Sequence, residues 1–198
     1  MPMELSRRDV NKQNTIEHIK KTFLSLYAKN GIDSITVSDL CKASGIAKST
    51  FYLYYEDKYA VLESIENHVL NDLKEISGEL VDVYEEGIKS GTPDVALVES
   101  VSYIAKNTEL FKILLGPHSN PQFSYKWKRN IEHSFQNKFR EVKNDPREAF
   151  IACTIFSASL ISLYSQYVFG NLDATEEELC LVINSLFKYS LFDFSEII

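Results

Sequence analysis

Apolar residues recur at steps of three and four along most of this 198-residue chain, which is the spacing of one face of an α-helix. The first such stripe contains Ile16, Ile19 and Phe23, and it predicts a helix over residues 10–30. The sequence offers no credible β-strand. Only seven glycines and five prolines interrupt the pattern. The sequence therefore predicts an all-α fold of about nine helices.

Start and stop signals divide the first sixty residues into helices. Gly31 stands where a left-handed C-terminal cap would end the first helix. Thr36 and Asp39 form a variant of the capping box that would begin the second helix. After a turn at Gly45, a third short helix is predicted over residues 48–55, and a long fourth helix follows. Later start signals lie at Thr92-Pro93, Asn107-Thr108, Asn120-Pro121, Asp145-Pro146 and Thr175.

Two short helices joined by a tight glycine turn are typical of a helix-turn-helix, whose second helix enters the major groove of DNA. The predicted outer face of residues 48–54 presents a cation, two small hydroxyls and two phenols. Such groups reach phosphates or base edges. They are Lys48, Ser49, Thr50, Tyr52 and Tyr54. The alternative is a structural helical hairpin without DNA binding, which requires this segment to be buried.

The ordered combination of motifs over residues 15–62 resembles the DNA-binding domain of the TetR family of transcription regulators. The matching pattern is Gly31, Thr36-Val37, Gly45-Ile46-Ala47, Ser49-Thr50-Phe51-Tyr52, Tyr54-Tyr55 and Lys58. The resemblance implies that the five outer residues form the recognition helix. It also implies phosphate contacts at Thr36 and Ser38 and a phosphate anchor at Lys58. Tyr55 departs from the family, which often has phenylalanine there, so its hydroxyl needs a partner or water.

A second stretch, residues 103–116 followed by Pro121 and Phe123, resembles the C-terminal region of some TetR-type regulators. That subgroup includes co-regulators that act through protein partners.

The net charge of −7 argues at first against a nucleic-acid partner, but the charge is unevenly placed. Residues 1–60 hold nine Lys/Arg and seven Asp/Glu, a balance of +2. Residues 61–198 hold 12 Lys/Arg and 21 Asp/Glu, a balance of −9. This distribution suits a small DNA-facing head on an acidic body.

The sequence favours a cytoplasmic protein. Cys41, Cys153 and Cys180 form no CxxC pair, which indicates reduced thiols. Residues 1–12 are polar and charged, unlike a signal peptide. Residues 149–172 carry no charge over 24 positions, long enough to span a bilayer, but they include seven Ser, Thr, Gln or Asn residues. We interpret this segment as a buried helix of a soluble protein, and we expect no membrane partner.

No catalytic or metal-binding arrangement stands out. The four histidines are scattered, and no Ser/His/Asp order, phosphate loop or acidic pair is present. We therefore predict no enzymatic activity, no metal and no cofactor. The body is rich in aromatic residues, which either line an apolar ligand cavity or fill the core. The candidate pocket residues are Tyr103, Phe111, His118, Trp127 and Tyr164.

The last two predicted helices carry apolar residues on more than one side, which predicts burial against both the core and a partner. Small residues on the first of them permit close approach of another helix. We therefore predict a two-fold homodimer with a four-helix interface, in agreement with the TetR resemblance. The candidate interface residues are Ala158, Ser162, Ser165, Val182, Leu186 and Phe187.

These observations predict a helix-turn-helix head over residues 1–58 and a regulatory, dimerising body over residues 59–198. The dimer would bind a pseudo-palindromic operator in double-stranded DNA and act as a repressor. A small-molecule effector of unknown identity would modulate that binding. In the alternative, the body binds a protein partner, and the chain is an activator or co-regulator without a small-molecule effector. A ligand-sized cavity in the body favours the first hypothesis, and a filled core favours the second.

Overall fold

The computed structural model describes residues 6–90, 95–143 and 145–192, with side chains described over 6–76, 97–143 and 145–190. Over these residues the chain forms nine α-helices and no strand, which confirms the predicted all-α fold. The helices are α1 Arg7–Asn30, α2 Val37–Ser44, α3 Lys48–Tyr52, α4 Lys58–Ser90, α5 Val95–Lys106, α6 Thr108–Leu114, α7 Pro121–Val142, α8 Pro146–Val168 and α9 Glu176–Phe192. The start signal at Thr92-Pro93 lies outside the described residues.

Local capping groups fix the first turns of several helices. The Thr36 hydroxyl accepts a hydrogen bond from the Asp39 backbone N–H, while the Asp39 carboxylate accepts one from the Thr36 backbone. Thr175 and Glu178 form the same reciprocal pair at the start of α9. Asn120 and Asp145 cap α7 and α8, each of which has proline in its first position. These starts agree with the sequence signals.

The third helix is shorter than predicted. The expected helix over residues 48–55 ends at Tyr52 instead. The backbone N–H groups of Tyr54 and Tyr55 both bond to the carbonyl of Phe51, so the chain leaves the helix through a tight turn. The next helix, α4, begins shortly afterwards, where the Asp57 carboxylate accepts a hydrogen bond from the Ala60 N–H at 2.8 Å.

The chain divides into two compact units. The first contains the described residues up to His68 together with Gly116–Ser119, and the second contains Val69–Leu115 and the described residues from Asn120 onward. The predicted head–body boundary at residue 58 stays a prediction, since the first unit also includes the first turns of α4. The core of the first unit is built from the fully buried side chains of Ile19, Phe23, Leu40, Phe51 and Val61.

Four buried phenylalanines hold three helices of the second unit together. Phe135 and Phe139 of α7, Phe156 of α8 and Phe187 of α9 have ring centroids 5.1 to 5.9 Å apart. Burying one such side chain stabilises a fold by roughly 1.5–3 kcal/mol. The cluster therefore accounts for much of the packing between α7, α8 and α9.

The uncharged segment forms α8, which is long and apolar enough to cross a membrane by length and composition. Instead, α8 packs against α6, α7 and α9 within the second unit. Its buried side includes Phe156, Leu160 and Tyr164, as in the core helix of a soluble bundle. Only 39% of its most apolar stretch is buried, however, so much of the helix is left uncovered by the single chain.

Candidate DNA-binding site and regulatory surfaces

The inner sides of α2 and α3 are held by the core of the first unit. Leu40 of α2 and Phe51 of α3 are fully buried, and Tyr55 follows them at the edge of the core. The Tyr55 ring lies 6.0 Å from the Phe51 ring between centroids. Burial raises the pKa of Tyr55, whose hydroxyl finds its partner in the side chain of Ser64. The departure from phenylalanine at this position is thereby accommodated.

A hydrogen bond from α1 fixes the end of α2. His18 Nε2 lies 2.9 Å from the carbonyl oxygen of Ser44, and because that oxygen can only accept, the ring nitrogen donates. Gly45 follows with φ +66° and ψ 22°, the left-handed conformation that glycine adopts without strain. The Ile46 N–H then bonds back to the carbonyl of Cys41. This tight turn sets the angle between α2 and α3.

The outer side of α3 is the surface that the sequence predicted for reading DNA. Lys48 and Ser49 are exposed, and 57% of Tyr52 is accessible. Thr50 and Tyr54 are half-buried. The structural-hairpin hypothesis required this segment to be buried and is therefore wrong.

Leu53 was not included among the predicted DNA-binding residues, yet 77% of its surface is exposed. It continues the helical backbone conformation at the end of α3, with φ −71° and ψ −22°. Residues four apart on a helix share a face, so Leu53 lies on the same side as Ser49. That spacing was visible in the sequence and could have identified it.

The start of α2 contains the two predicted phosphate contacts, Thr36 and Ser38. The Thr36 hydroxyl donates to the Asp39 carboxylate at 2.6 Å, so its proton is used within the capping box. These hydrogen bonds from Thr36 hold the pKa of Asp39 below its ordinary value, and Asp39 is fully ionised at neutral pH. Ser38 is exposed beside them. Ser38 is thus the better placed of the two for a phosphate, since the Thr36 hydroxyl proton is already engaged.

Lys58, the predicted phosphate anchor, has a different set of contacts. Its Nζ lies 2.8 Å from the carbonyl oxygen of Ile32, 3.4 Å from that of Asp33 and 2.8 Å from that of Ile35. An ammonium group has three N–H donors, and three backbone carbonyl oxygens lie within 3.4 Å of this one. A phosphate contact would require Lys58 to release one of these carbonyls.

Four of the five candidate pocket residues form a continuous row of rings in the second unit. Tyr103 meets Phe111 edge-on at 6.1 Å between centroids, and Phe111 lies 5.5 Å from Trp127. Trp127 stacks on Tyr164 at 5.6 Å with only 10° between the ring planes. The side chains of this row are packed against one another.

A small cavity of about 20 Å³ lies beside Trp127 and Tyr164, among the described side chains. Tyr164 and Ser100 both line it, and their hydroxyls hydrogen-bond to each other at 2.6 Å. Burial raises the pKa of Tyr164 above its ordinary value, so this hydroxyl is neutral. A space of this size holds about one water molecule. Small-molecule sites occupy roughly 300–1,000 Å³.

His118 does not belong to this aromatic row, and its assignment to a ligand pocket stays a prediction. It is exposed and belongs to the first compact unit. A side-chain carbon placed on Gly31 would lie 3.6 Å from His118 Cβ and Nδ1. The imidazole is therefore a surface group beside the end of α1.

Five of the six predicted interface residues are exposed or half-buried. Ala158 and Ser162 of α8 are exposed and Ser165 is half-buried; on α9, Val182 is 46% exposed and Leu186 is half-buried. The sixth, Phe187, is fully buried in the phenylalanine cluster, so its assignment to a dimer interface is wrong. Adjacent residues on a helix point about 100° apart, which separates Phe187 from Leu186.

The cysteines are buried free thiols. Burial raises the pKa of Cys153 to about 11 and that of Cys180 to about 11, so both remain protonated at neutral pH. Protonated, buried thiols are poor nucleophiles and poor metal ligands.

A helix-turn-helix with an exposed second helix, followed by a helical body, defines a DNA-binding transcription regulator. Two protein-family models match the chain: "Bacterial regulatory proteins, tetR family" over residues 23–65, and "Transcriptional regulator C-terminal region" over residues 92–189. The chain belongs to the TetR family, whose members are regulators rather than enzymes.

Relatives support this membership mainly through the head. The HTH-type transcriptional regulator YvdT of Bacillus subtilis is 35% identical over 65 residues, which cover 32% of this chain and 34% of the relative. The regulator YerO of the same organism is 23% identical over 186 residues, covering 84% of this chain and 61% of the relative. These alignments span less than two thirds of each relative's own length.

Solved structures share the fold. A TetR transcriptional regulator from Streptococcus agalactiae has 23% identity and a TM-score of 0.66, over 91% of this chain and 97% of that one. The dihydroxyacetone kinase operon activator DhaS has 17% identity and a TM-score of 0.55, over 92% of this chain and 97% of that one.

Proposed function

We propose that this chain is a cytoplasmic, homodimeric repressor that occupies a pseudo-palindromic operator. The carrying observation is the two-sided character of α3. Phe51 is fully buried on its inner side, while Lys48, Ser49 and Tyr52 are exposed on its outer side. A helix anchored in this way can enter the major groove without giving up its own core contacts.

The chemistry of the outer side of α3 suits base reading. A lysine can donate to the O6 and N7 acceptors of guanine, and serine or threonine hydroxyls can pair with any base edge. Tyr52 and Leu53 add apolar surface that can contact a thymine methyl group. Ser38 is exposed at the start of α2, where its hydroxyl could donate to a phosphate and so fix the register of the head.

The proposed function requires a dimer, because two heads are needed for two half-sites. The exposed side of α8 presents Ala158 and Ser162, whose small size permits close helix approach. On α9, Val182 and Leu186 add apolar surface that the chain does not cover completely by itself. A two-fold contact of these helices with a second copy would bury this surface as a four-helix bundle.

A second candidate function is that a protein partner, rather than a small molecule, binds the body and regulates operator binding. Among the described side chains the aromatic row is packed, and the cavity of about 20 Å³ beside Trp127 and Tyr164 is too small for an organic effector. In this version the chain is a co-regulator, and its partner changes the occupancy of the operator. The head and the dimer keep the same roles.

The operator proposal is tested by selecting duplexes from a randomised library with the purified full-length chain. An inverted repeat should emerge, with half-sites about 10–10.5 base pairs apart or a multiple of that spacing. Lys48→Ala combined with Tyr52→Ala is the matched control, since it should abolish enrichment while leaving helicity and dimer mass unchanged. If the wild-type chain enriches no sequence, the proposed function is wrong.

Trp127 provides a test of whether a small molecule binds inside the body. It is the single tryptophan of the chain and lies in the aromatic row. A small molecule that enters this core must disturb the stacked pair and change the tryptophan fluorescence. We expect no such change across a panel of apolar and aromatic metabolites. A saturable fluorescence change that is coupled to operator release would favour a small-molecule effector instead.

A further inference from the structure

Lys58 joins the first turn of α4 to the loop between α1 and α2. Its Nζ lies 2.8 Å from the carbonyl oxygens of both Ile32 and Ile35 and 3.4 Å from that of Asp33. These acceptors lie 23 to 26 residues earlier in the sequence. The Lys58 Nζ also lies 5.2 Å from the centroid of the Tyr59 ring, which adds an attractive cation–π contact.

The loop that Lys58 holds determines where α2 begins. Gly31 ends α1 with φ +69°, and the chain then turns so that the Ile35 N–H bonds to the Ile32 carbonyl at 3.3 Å. The Ile35 side chain is buried, and the next residue, Thr36, is the cap of α2. The two carbonyls closest to Lys58 are therefore those of the turn that ends next to this cap.

Hydrogen bonds from an ammonium group to carbonyl oxygens are strong because the donor carries a full positive charge. They add a second hydrogen bond to the Ile32 carbonyl, which already accepts one from the Ile35 N–H, and they engage the Ile35 carbonyl as well. Holding these oxygens fixes the path of the chain from α1 into α2. Because α3 is joined to α2 by a tight turn, the same contacts fix the placement of the recognition helix.

We propose that Lys58 is a positioning residue for operator recognition: it orients α2 and α3 by holding the loop carbonyls, and it does not neutralise a DNA phosphate. This proposal rests on operator binding by the head. It differs from the phosphate anchor that the family resemblance implied. The two roles predict opposite effects on the salt dependence of binding.

The test compares Lys58→Met with Lys48→Met, a lysine of the exposed outer side of α3. Affinities of the full-length dimer for the selected operator and for random duplex are measured over a range of salt concentrations. Each lost phosphate contact lowers the salt slope by about 0.9, or about two units for both subunits of a dimer. Lys58→Met should leave this slope unchanged and weaken operator binding by at least about tenfold, with random-duplex binding unchanged. Lys48→Met is the control, because Lys48 is a lysine that we expect to contact DNA directly.

Hydrogen exchange provides a direct reading of the loop in the same variants. Lys58→Met should accelerate amide exchange over residues 32–37 while leaving the centre of α1 protected, and Lys48→Met should not. Lys58→Gln keeps two donors without a charge and should lie between the wild type and Lys58→Met in both assays. It also replaces Lys58→Met if that variant does not fold.

Two results would overturn the proposal. A flatter salt slope with equal loss on operator and random duplex would make Lys58 a phosphate contact. A lower melting temperature with unchanged operator affinity, measured where the variant is folded, would make Lys58 a stabilising residue only. A wild-type chain without sequence preference would instead defeat the proposed function, and hydrogen exchange would still show whether Lys58 orders the loop.

Discussion

Val182 and Leu186 lie one helical turn apart on α9, on a side of the helix that the chain does not cover completely. Replacing both residues by glutamate is a direct perturbation of the proposed dimer. Phe187, the next residue, faces the phenylalanine cluster and provides a contrasting position in the core. The same helix therefore offers an interface substitution and a core substitution that should act differently.

The size of the expected effect follows from the exposed surface. Complete burial of valine or leucine is worth roughly 1.5–3 kcal/mol. About half of that remains to be gained at Val182, which is 46% exposed, and a smaller part at the half-buried Leu186. At about 1 kcal/mol for each valine and about 0.5 kcal/mol for each leucine, the four side chains of a symmetric dimer contribute about 3 kcal/mol. The double substitution should therefore raise the dissociation constant of the dimer by about a hundredfold. Desolvation of the new carboxylates would add to this loss.

Analytical ultracentrifugation and circular dichroism distinguish the outcomes. Val182→Glu with Leu186→Glu should give a folded, helical monomer that no longer binds the operator tightly. Phe187→Ala should instead reduce the free energy of unfolding by about 3–5 kcal/mol, because it leaves a cavity in the core. Lys188→Glu, an exposed change on a different side of α9, should leave the dimer intact. A tight dimer with normal operator affinity after the double substitution would refute the interface.

Three further predictions concern the head and the body. Lys48→Ala and Tyr52→Ala should each weaken operator binding by roughly 1–3 kcal/mol in gel-shift assays, without lowering the melting temperature. If both variants keep the wild-type affinity, α3 is not the recognition helix. The lowered pKa of Asp39 means that its carboxylate stabilises the folded head above the ordinary aspartate pKa of about 3.9, and that this contribution is lost as the pH falls through the lowered value. Asp39→Asn should therefore reduce the dependence of the melting temperature on pH in that acidic range, and an unaltered dependence would contradict the capping argument. Trp127→Ala should lower the free energy of unfolding by about 3–5 kcal/mol, and added indole should restore part of the melting temperature; a variant as stable as the wild type would show that the row is loosely packed.

Helix starts were predictable because their signals are local. Thr36 and Asp39 are three residues apart, and proline at the first position of α7 and α8 restricts the backbone whatever the rest of the chain does. The end of α3 could not be predicted, because Tyr55 would be buried in the core whether the helix ends at Tyr52 or continues to Tyr55. Only the turn that leaves the helix after Tyr52 shows that Tyr55 is not helical.

The roles of Phe187 and Lys58 depended on contacts that are distant in sequence. Leu186 and Phe187 are both apolar and adjacent, so periodicity could not show which of the two faces the core. For Lys58, the deciding oxygens belong to a loop more than twenty residues earlier. No spacing rule marks a lysine whose donors are used by backbone carbonyls, and the family resemblance pointed to DNA instead.

The recognition helix has five residues, and Phe51 is its one buried residue. So short a helix has little stability of its own and depends on that single ring for its attachment. The neighbouring positions on the outside, among them Lys48, Ser49 and Tyr52, carry little of the packing that holds the fold. If these positions read DNA as proposed, substitutions there should exchange one operator preference for another without destabilising the protein. In this chain, a change of target gene is separable from a change of structure, which makes the outer side of α3 a suitable place to engineer new DNA specificities.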